Sequence, residues 1–337
     1  MATRKHPVRG MALGVVLGDS LGAPHEFSHG VPLSQYTGRL ELLFSHLSRH
    51  HGRRTGVVGQ VTDDTEMTIA LFASIVGHGW VYEPKAAVRA YLAWAATAPF
   101  GMGKNTRELF CKIKKVESYA ARWKRTFSDR PQVNWTQSNG CLMRASPLAI
   151  IPDAQAAVVA AIADAKLTNP HPTCVGACAV YVLLLHELIY RPEISFPELH
   201  SIALKQAPTG EVKDTVEQAL SELPRDVTSS KGWVLHALWC AVRAMKMAHR
   251  EGATFRAVLD WVIRLGGDTD TNGAIAGALI GAKFGMTEML ADPVVAENAE
   301  TAIHADLSQG ELDRPPEYQS ARLMHFAALA EEKLPVP

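Results

Sequence analysis

The stretch GGDTDTNG, residues 266–273, decides how the chain is read, because it fits more than one structure. Asp268, Asp270, Asn272 and Gly273 fall on the first, third, fifth and sixth positions of a calcium-binding EF-hand loop. That loop must close with a bidentate glutamate at its twelfth position. Counting from Asp268, the twelfth residue is Leu279, inside the apolar, small-residue run AIAGALIGAKFG, so the EF-hand fails. A second possibility takes DTDT as the Asp-x-Asp-x-Thr of an aspartyl-phosphate phosphatase, whose first carboxylate is a nucleophile at the end of a buried strand. The preceding FRAVLDWVIRLGG spaces Val258, Trp261, Val262 and Leu265 at three and four residues, a helical period, which weakens that possibility without removing it.

A second acidic group stands far upstream in GQVTDDTEMTIALFASI, where Thr62, Asp63 and Asp64 precede an apolar helix. Asp63 with Glu66 three residues on makes an acceptable capping box, and Asp268 or Asp270 can cap the helix that follows them. Capping uses one Asp at each helix start and leaves the remaining acids unexplained. Carboxylates at i and i+2 diverge on a regular helix, so Asp268 and Asp270 converge only in a loop or cap conformation, which Gly266 and Gly267 allow. Should the two loops meet, four carboxylates and two hydroxyls surround one point. Divalent cations with hard oxygen ligands relieve such repulsion, and the count favours two magnesium or manganese ions over one.

A second regularity joins the two ends of the chain. Gly10, Gly14, Gly18 and Gly22 recur every fourth residue, and so do Gly273, Gly277, Gly281 and Gly285. An interior helix glycine costs up to about 1 kcal/mol, so the repetition indicates close helix packing or close ligand approach, with the two ridges central and packed on each other. Asp19 and Lys283 interrupt the segments and argue against a membrane use of this spacing.

The bulk composition is consistent with this. The 337 residues, 47% of them hydrophobic, support a sizeable core in one large domain or two small ones. Thirty-four basic residues balance thirty-four acidic ones, so no global field favours nucleic acid or an anionic membrane. The five cysteines, Cys111, Cys141, Cys174, Cys178 and Cys240, are odd in number and lack CxxC spacing, which fits buried thiols and a reducing cytoplasm. The basic start and short apolar run of MATRKHPVRGMALGVVLG end at Asp19 without a cleavage pattern and are read as a first helix. No segment approaches the roughly 20 apolar residues a membrane span needs. Helical periodicity covers 64–78, 84–97, 155–167, 173–190, 232–250, 254–265, 272–284 and 320–333, with loops near 28–38, 98–104, 128–138, 168–173 and 207–211. Convincing alternating strands are nearly absent. The expectation is a single all-α domain, residues 1–337 with a core from about 7 to 333.

Four blocks, in order, resemble the ADP-ribosylglycohydrolases, and within them the dinitrogenase reductase-activating bacterial type: RGMALGVVLGDSLGAPHEF, GQVTDDTEMTIAL, SNGCLMRASPLAI and GGDTDTNGAIAGALIGAKFG. The resemblance implies an orthogonal, multi-helix fold around a central binuclear magnesium or manganese site that removes ADP-ribose from a modified protein and releases free ADP-ribose. It implies Thr62, Asp63, Asp64, Asp268, Asp270 and Thr271 as metal ligands. Glu26 matches a glutamate at the metals or in proton transfer, and Glu26, Asp63 and Asp268 are expected to carry catalysis.

Asp19 matches the family's Gly-Asp pair, and its place between small residues favours structural hydrogen bonds. TAPFGMGKNT resembles a family loop near the phosphates, which points to amides around Gly101 and Gly103. It is no Walker loop, since Ala98 and Asn105 stand at two required positions. Ser138, Asn139 and Gly140 match the loop over the distal ribose. His171 matches a frequent histidine at the next helix start, where a plain capping role is the alternative. The expected linkage is arginine, because GQVTDDTEMTIAL and YLAWAATAPFGMGKNTRELF resemble the arginine-directed bacterial enzymes more than the serine-directed branch. A cationic leaving group also calls for an acidic or aromatic mouth, to which Glu26 and Trp94 are candidates, Trp94 more naturally as core. A non-catalytic ADP-ribose binder of the same fold stays open, as does action on serine-, DNA- or small-molecule-linked ADP-ribose.

Overall fold

The architecture rests on a computed structural model that describes residues 5–30, 35–45, 54–129, 136–208, 210–221 and 224–334. Among them the chain forms α1 (Pro7–Gly22), a hairpin of β1 (Leu42–Ser45) and β2 (Arg54–Val58), α2 (Asp63–Gly77), α3 (Pro84–Ala96), α4 (Lys104–Phe110), α5 (Val116–Trp123), α6 (Ala154–Thr168), α7 (Pro172–Tyr190) and α8 (Phe196–Gln206). It continues through α9 (Glu211–Gln218), α10 (Val234–Ala248), α11 (Phe255–Arg264), α12 (Thr269–Phe284), α13 (Met286–Met289), α14 (Pro293–His304) and α15 (Ser320–Lys333). The helical periods expected from sequence all appear, and the strand-rich phosphatase architecture is excluded. The hairpin is an addition: β1 and β2 pair antiparallel with Leu42 opposite Val58.

The two glycine ridges form the axis of the molecule. A Cβ built on Gly14 would lie 1.9 Å from the Gly277 carbonyl oxygen, one on Gly18 2.0 Å from that of Gly273, and one on Gly10 2.2 Å from that of Gly281. The pairing runs in opposite senses, so α1 and α12 are antiparallel with backbones in contact. Every residue of α1 except Arg9 and every residue of α12 except Lys283 is buried, as expected of helices apolar on all sides. Helix α15 joins this core beside α1: the backbone amides of Val8 and Arg9 donate to Glu331 on α15 at 2.9 and 3.1 Å.

The antiparallel pairing places the C-terminal end of α1 beside the N-terminal end of α12. Asp19, on the last turn of α1, is wholly buried and accepts from the Thr62 amide, the Thr65 amide and, at 2.6 Å, the Thr65 hydroxyl. These are orphan groups at the start of α2, so Asp19 anchors that helix from a distance. The structural role expected for Asp19 is what the structure shows.

Two expectations are corrected. Glu66 does not reach back to complete a capping box; it is buried and binds the Arg314 guanidinium at 2.5 and 2.9 Å and the Trp94 indole at 2.7 Å. Thr62 is the N-cap instead, accepting from the Asp64 amide. Also, α7 is by length and composition apolar enough to cross a membrane, although 78% of that window is buried inside the protein, which accounts for its apolarity by packing. The cysteines are free thiols, all buried except the half-buried Cys111.

Candidate active site

Because α2 and α12 start side by side at the end of α1, their N-terminal acids meet. Thr62 Oγ1 donates to Asp64 Oδ2 at 3.0 Å, and Thr271 Oγ1, from the other block, donates to the same oxygen at 3.3 Å. Carboxylate oxygens of Glu26, Asp268 and Asp270 lie within 4.8 Å of one another. Asp63, Asp64, Asp268 and Asp270 are all buried. None of the ion pairs among the described residues involves these acids or Glu26.

Burial and mutual repulsion set their protonation. Burial, then the charges of Asp64 and Glu26, hold Asp63 well above the usual carboxylate range. Burial and the neighbours Asp19 and Asp268 do the same for Asp64, and burial with Glu26 and Asp268 for Asp270. Asp268 is raised by burial against the opposing hydrogen bond from Asn139. Glu26 is pushed up to about 8 by burial and by the charges of Asp268 and Asp19. Anions gathered at this density without a counter-charge fit hard divalent cations. The buried Asp64 Oδ1 has no hydrogen-bond partner, which fits the same purpose.

The acids open into a cleft of about 260 Å³ that also takes in Gly101, Gly103, Ser138, Asn139, Gly140 and Thr271 among the expected residues. Gly101 adopts φ 75°, and a Cβ there would sit 2.9 Å from Asp63 Oδ1, so glycine lets the loop pass close to the acid without strain. Asn139 donates to Asp268 Oδ2 at 2.7 Å, and its own amide donates to the Gly232 carbonyl at 2.9 Å. Ser138 accepts from Asn169 at its hydroxyl, and Gly140 from the buried Arg144, which pairs with Asp164 at 2.9 Å. The loop from Ser138 to Gly140 is therefore held in place by buried groups.

One expected residue stands elsewhere. His171 does not line the cleft; it is the N-cap of α7, its Nδ1 accepting from the Thr173 amide at 3.2 Å, and its ring stands beside Gln137. Trp94 is fully buried against Glu66, the core role favoured for it, and contributes nothing to the mouth. The cleft also takes in Phe27 and Lys104, neither of which was singled out in the sequence, and Asn105, which was weighed there only against a Walker loop. Phe27 is 53% exposed and sits at φ 61°, held there because its amide donates to Gly267 and its carbonyl accepts from Lys231.

The family profile described as ADP-ribosylglycohydrolase matches residues 1–309. The chain belongs to the ADP-ribosylglycohydrolase family. It is 25% identical over 300 residues to the ADP-ribosyl-[dinitrogen reductase] glycohydrolase of Rhodospirillum rubrum, covering 83% of this chain and 86% of that one. It is 26% identical over 321 residues to the ADP-ribosylhydrolase ARH3 of Mus musculus, covering 83% and 84%. A solved structure titled ADP-ribosylglycohydrolase-related protein complex superposes with a TM-score of 0.65 at 23% identity, covering 90% of this chain and 99% of that one, and so shares the fold. This ADP-ribosylglycohydrolase thus carries its two acidic blocks on the paired starts of α2 and α12.

Proposed function

We propose that this hydrolase removes single ADP-ribose groups from a modified protein side chain, arginine before serine, using two magnesium or manganese ions held by Thr62, Asp63, Asp64, Asp268, Asp270 and Thr271. The observation that carries the reading is the meeting of both acidic blocks on one cleft whose far wall, Ser138 to Gly140, is built of polar groups clamped in place. When bound, the ions would grip the ribose diol and acidify a water molecule. Thr62 lies just outside the cleft lining, yet its hydroxyl touches Asp64, so it supports the same group.

The rest of the chemistry falls to the chain. The bond from the anomeric carbon to the target nitrogen breaks through an oxocarbenium-like state. Water gives its hydroxyl to that carbon and its proton to the departing guanidine, which leaves as guanidinium. Glu26, which faces the cleft beside Asp268 and Asp270, accepts and returns the proton. Gly101, Gly103 and Lys104 face the cleft where a diphosphate would lie. A non-catalytic binder would have no use for the full set of unpaired buried carboxylates, which favours the enzyme. The contact of α1 with α15 supports treating the described residues as one domain.

The near-equal identities to the relatives above do not choose the linkage. The test is release of free ADP-ribose from arginine-, serine- and DNA-linked substrates, with and without magnesium. Metal-dependent release, fastest from arginine, is expected. Faster release from serine, or release from DNA alone, would refute the linkage; no release from any substrate would refute the hydrolase reading.

A further inference from the structure

A second cavity, a groove of about 690 Å³, lies on the other side of the acidic centre and shares Glu26, Phe27, Asp63, Gly101 and Asp270 with the first. Its own walls differ in chemistry. The floor is a small satellite core of Ala23 and Leu43, with Phe100 packed against it. The rim carries Leu42, 44% exposed, and the 53% exposed Phe27. Glu41, exposed at the start of the hairpin, adds a carboxylate and accepts from the Thr37 hydroxyl at 3.4 Å. The single cation among the lining residues, Arg107, donates to the Met102 carbonyl.

The two cavities divide the substrate by charge. The first offers the clamped polar loop and Lys104, which suit ribose hydroxyls and a diphosphate. The groove, with Glu41 beside apolar walls, disfavours a diphosphate and suits a side chain with an apolar stem and a cationic head. The acids stand on the shared wall, where a bond joining the two halves would lie. We propose that the groove receives the arginine side chain of the modified protein. Leu42, Leu43 and Phe100 cover its methylenes and Glu41 fixes the charge, which makes Glu41 the residue that selects the linkage. The proposal rests on the hydrolase reading above and assigns the side of that site which the ADP-ribose does not fill.

The test uses the full chain with divalent ion present and compares wild type with Glu41→Gln and Glu41→Lys, both at an exposed position where the fold is retained. ADP-ribose release from an arginine-linked peptide gives kcat and KM, and calorimetry gives the affinity for free ADP-ribose. Loss of one exposed charge partner raises KM about threefold in Glu41→Gln, and charge reversal raises it about tenfold, with kcat changed less than twofold. The affinity for free ADP-ribose stays within twofold, because that half lies in the other cavity. An unchanged KM in Glu41→Lys would overturn the proposal. So would a parallel loss of ADP-ribose affinity, which would put ADP-ribose itself in the groove. If ADP-ribose is bound but released from no substrate, the hydrolase reading fails and this proposal with it.

Discussion

Replacing Gly277 with alanine tests the claim that the two glycine ridges set the geometry of the site. The added Cβ would stand 2.2 Å from the Gly14 carbonyl oxygen and 2.9 Å from its carbon. Ordinary contact at about 3.4 Å requires the helices to part by roughly 1.2 Å, and the obstacle is backbone, which no rotamer change relieves. Alanine returns at most about 1 kcal/mol of helix propensity, whereas overpacking at a rigid contact costs about 3 kcal/mol, so the net loss is ~2 kcal/mol. For a chain of this size that lowers Tm by roughly 3 °C, read by thermal unfolding with circular dichroism. Gly77→Ala is the control, since its Cβ meets nothing within 4 Å, and it should leave Tm level or slightly higher. Because the same contact aligns Asp19 with the start of α12, Gly277→Ala should also weaken divalent-ion binding. A Tm at or above wild type would refute the packing argument.

Two other outcomes follow from buried charge. Arg314→Ala leaves Glu66 buried and unpaired at the root of α2 and should cost about 3–5 kcal/mol, a drop of roughly 6 °C in Tm; an unchanged Tm would show that the pair contributes little. In chelator, Glu26 has a folded pKa of about 8 against 4.5 ordinarily, so the folded state holds its proton more tightly and stability falls as pH rises through that window. Tm in chelator should therefore be higher at pH 5 than at pH 8, and added magnesium should raise it more at pH 8. Equal shifts at both values would contradict this.

Much of the arrangement was legible in the sequence for a physical reason. Glycine every fourth residue on two segments has few explanations besides backbone contact, and that contact fixes which helix ends meet. The paired acids then had to meet as well. What stayed hidden depends on contacts distant in the chain or on backbone conformation. The partner of Glu66 is Arg314, 248 residues away and beyond the stretch the family profile matches, so a local capping box was the natural misreading. The hairpin leaves Leu42 and Val58 over a third exposed on its open side, which erases the alternation that marks a strand. Phe27 matters because its φ is positive, and Gly232 because its carbonyl holds Asn139; neither leaves a mark in residue type. Lys104, directly after Gly103 in the loop beside the cleft, was the one signal available and passed over.

The central claim is that the Thr62 to Asp64 and Asp268 to Thr271 blocks together form a divalent-ion centre on which hydrolysis depends. Its most direct test is a calorimetric titration of chelator-stripped protein with manganese, with ADP-ribose release from an arginine-modified protein assayed on the same samples. The expected result is two ions per chain and activity returning in step with their binding, both lost in Asp64→Asn while circular dichroism shows the helices intact. Full turnover in the stripped protein, or undiminished ion binding by Asp64→Asn, would contradict it.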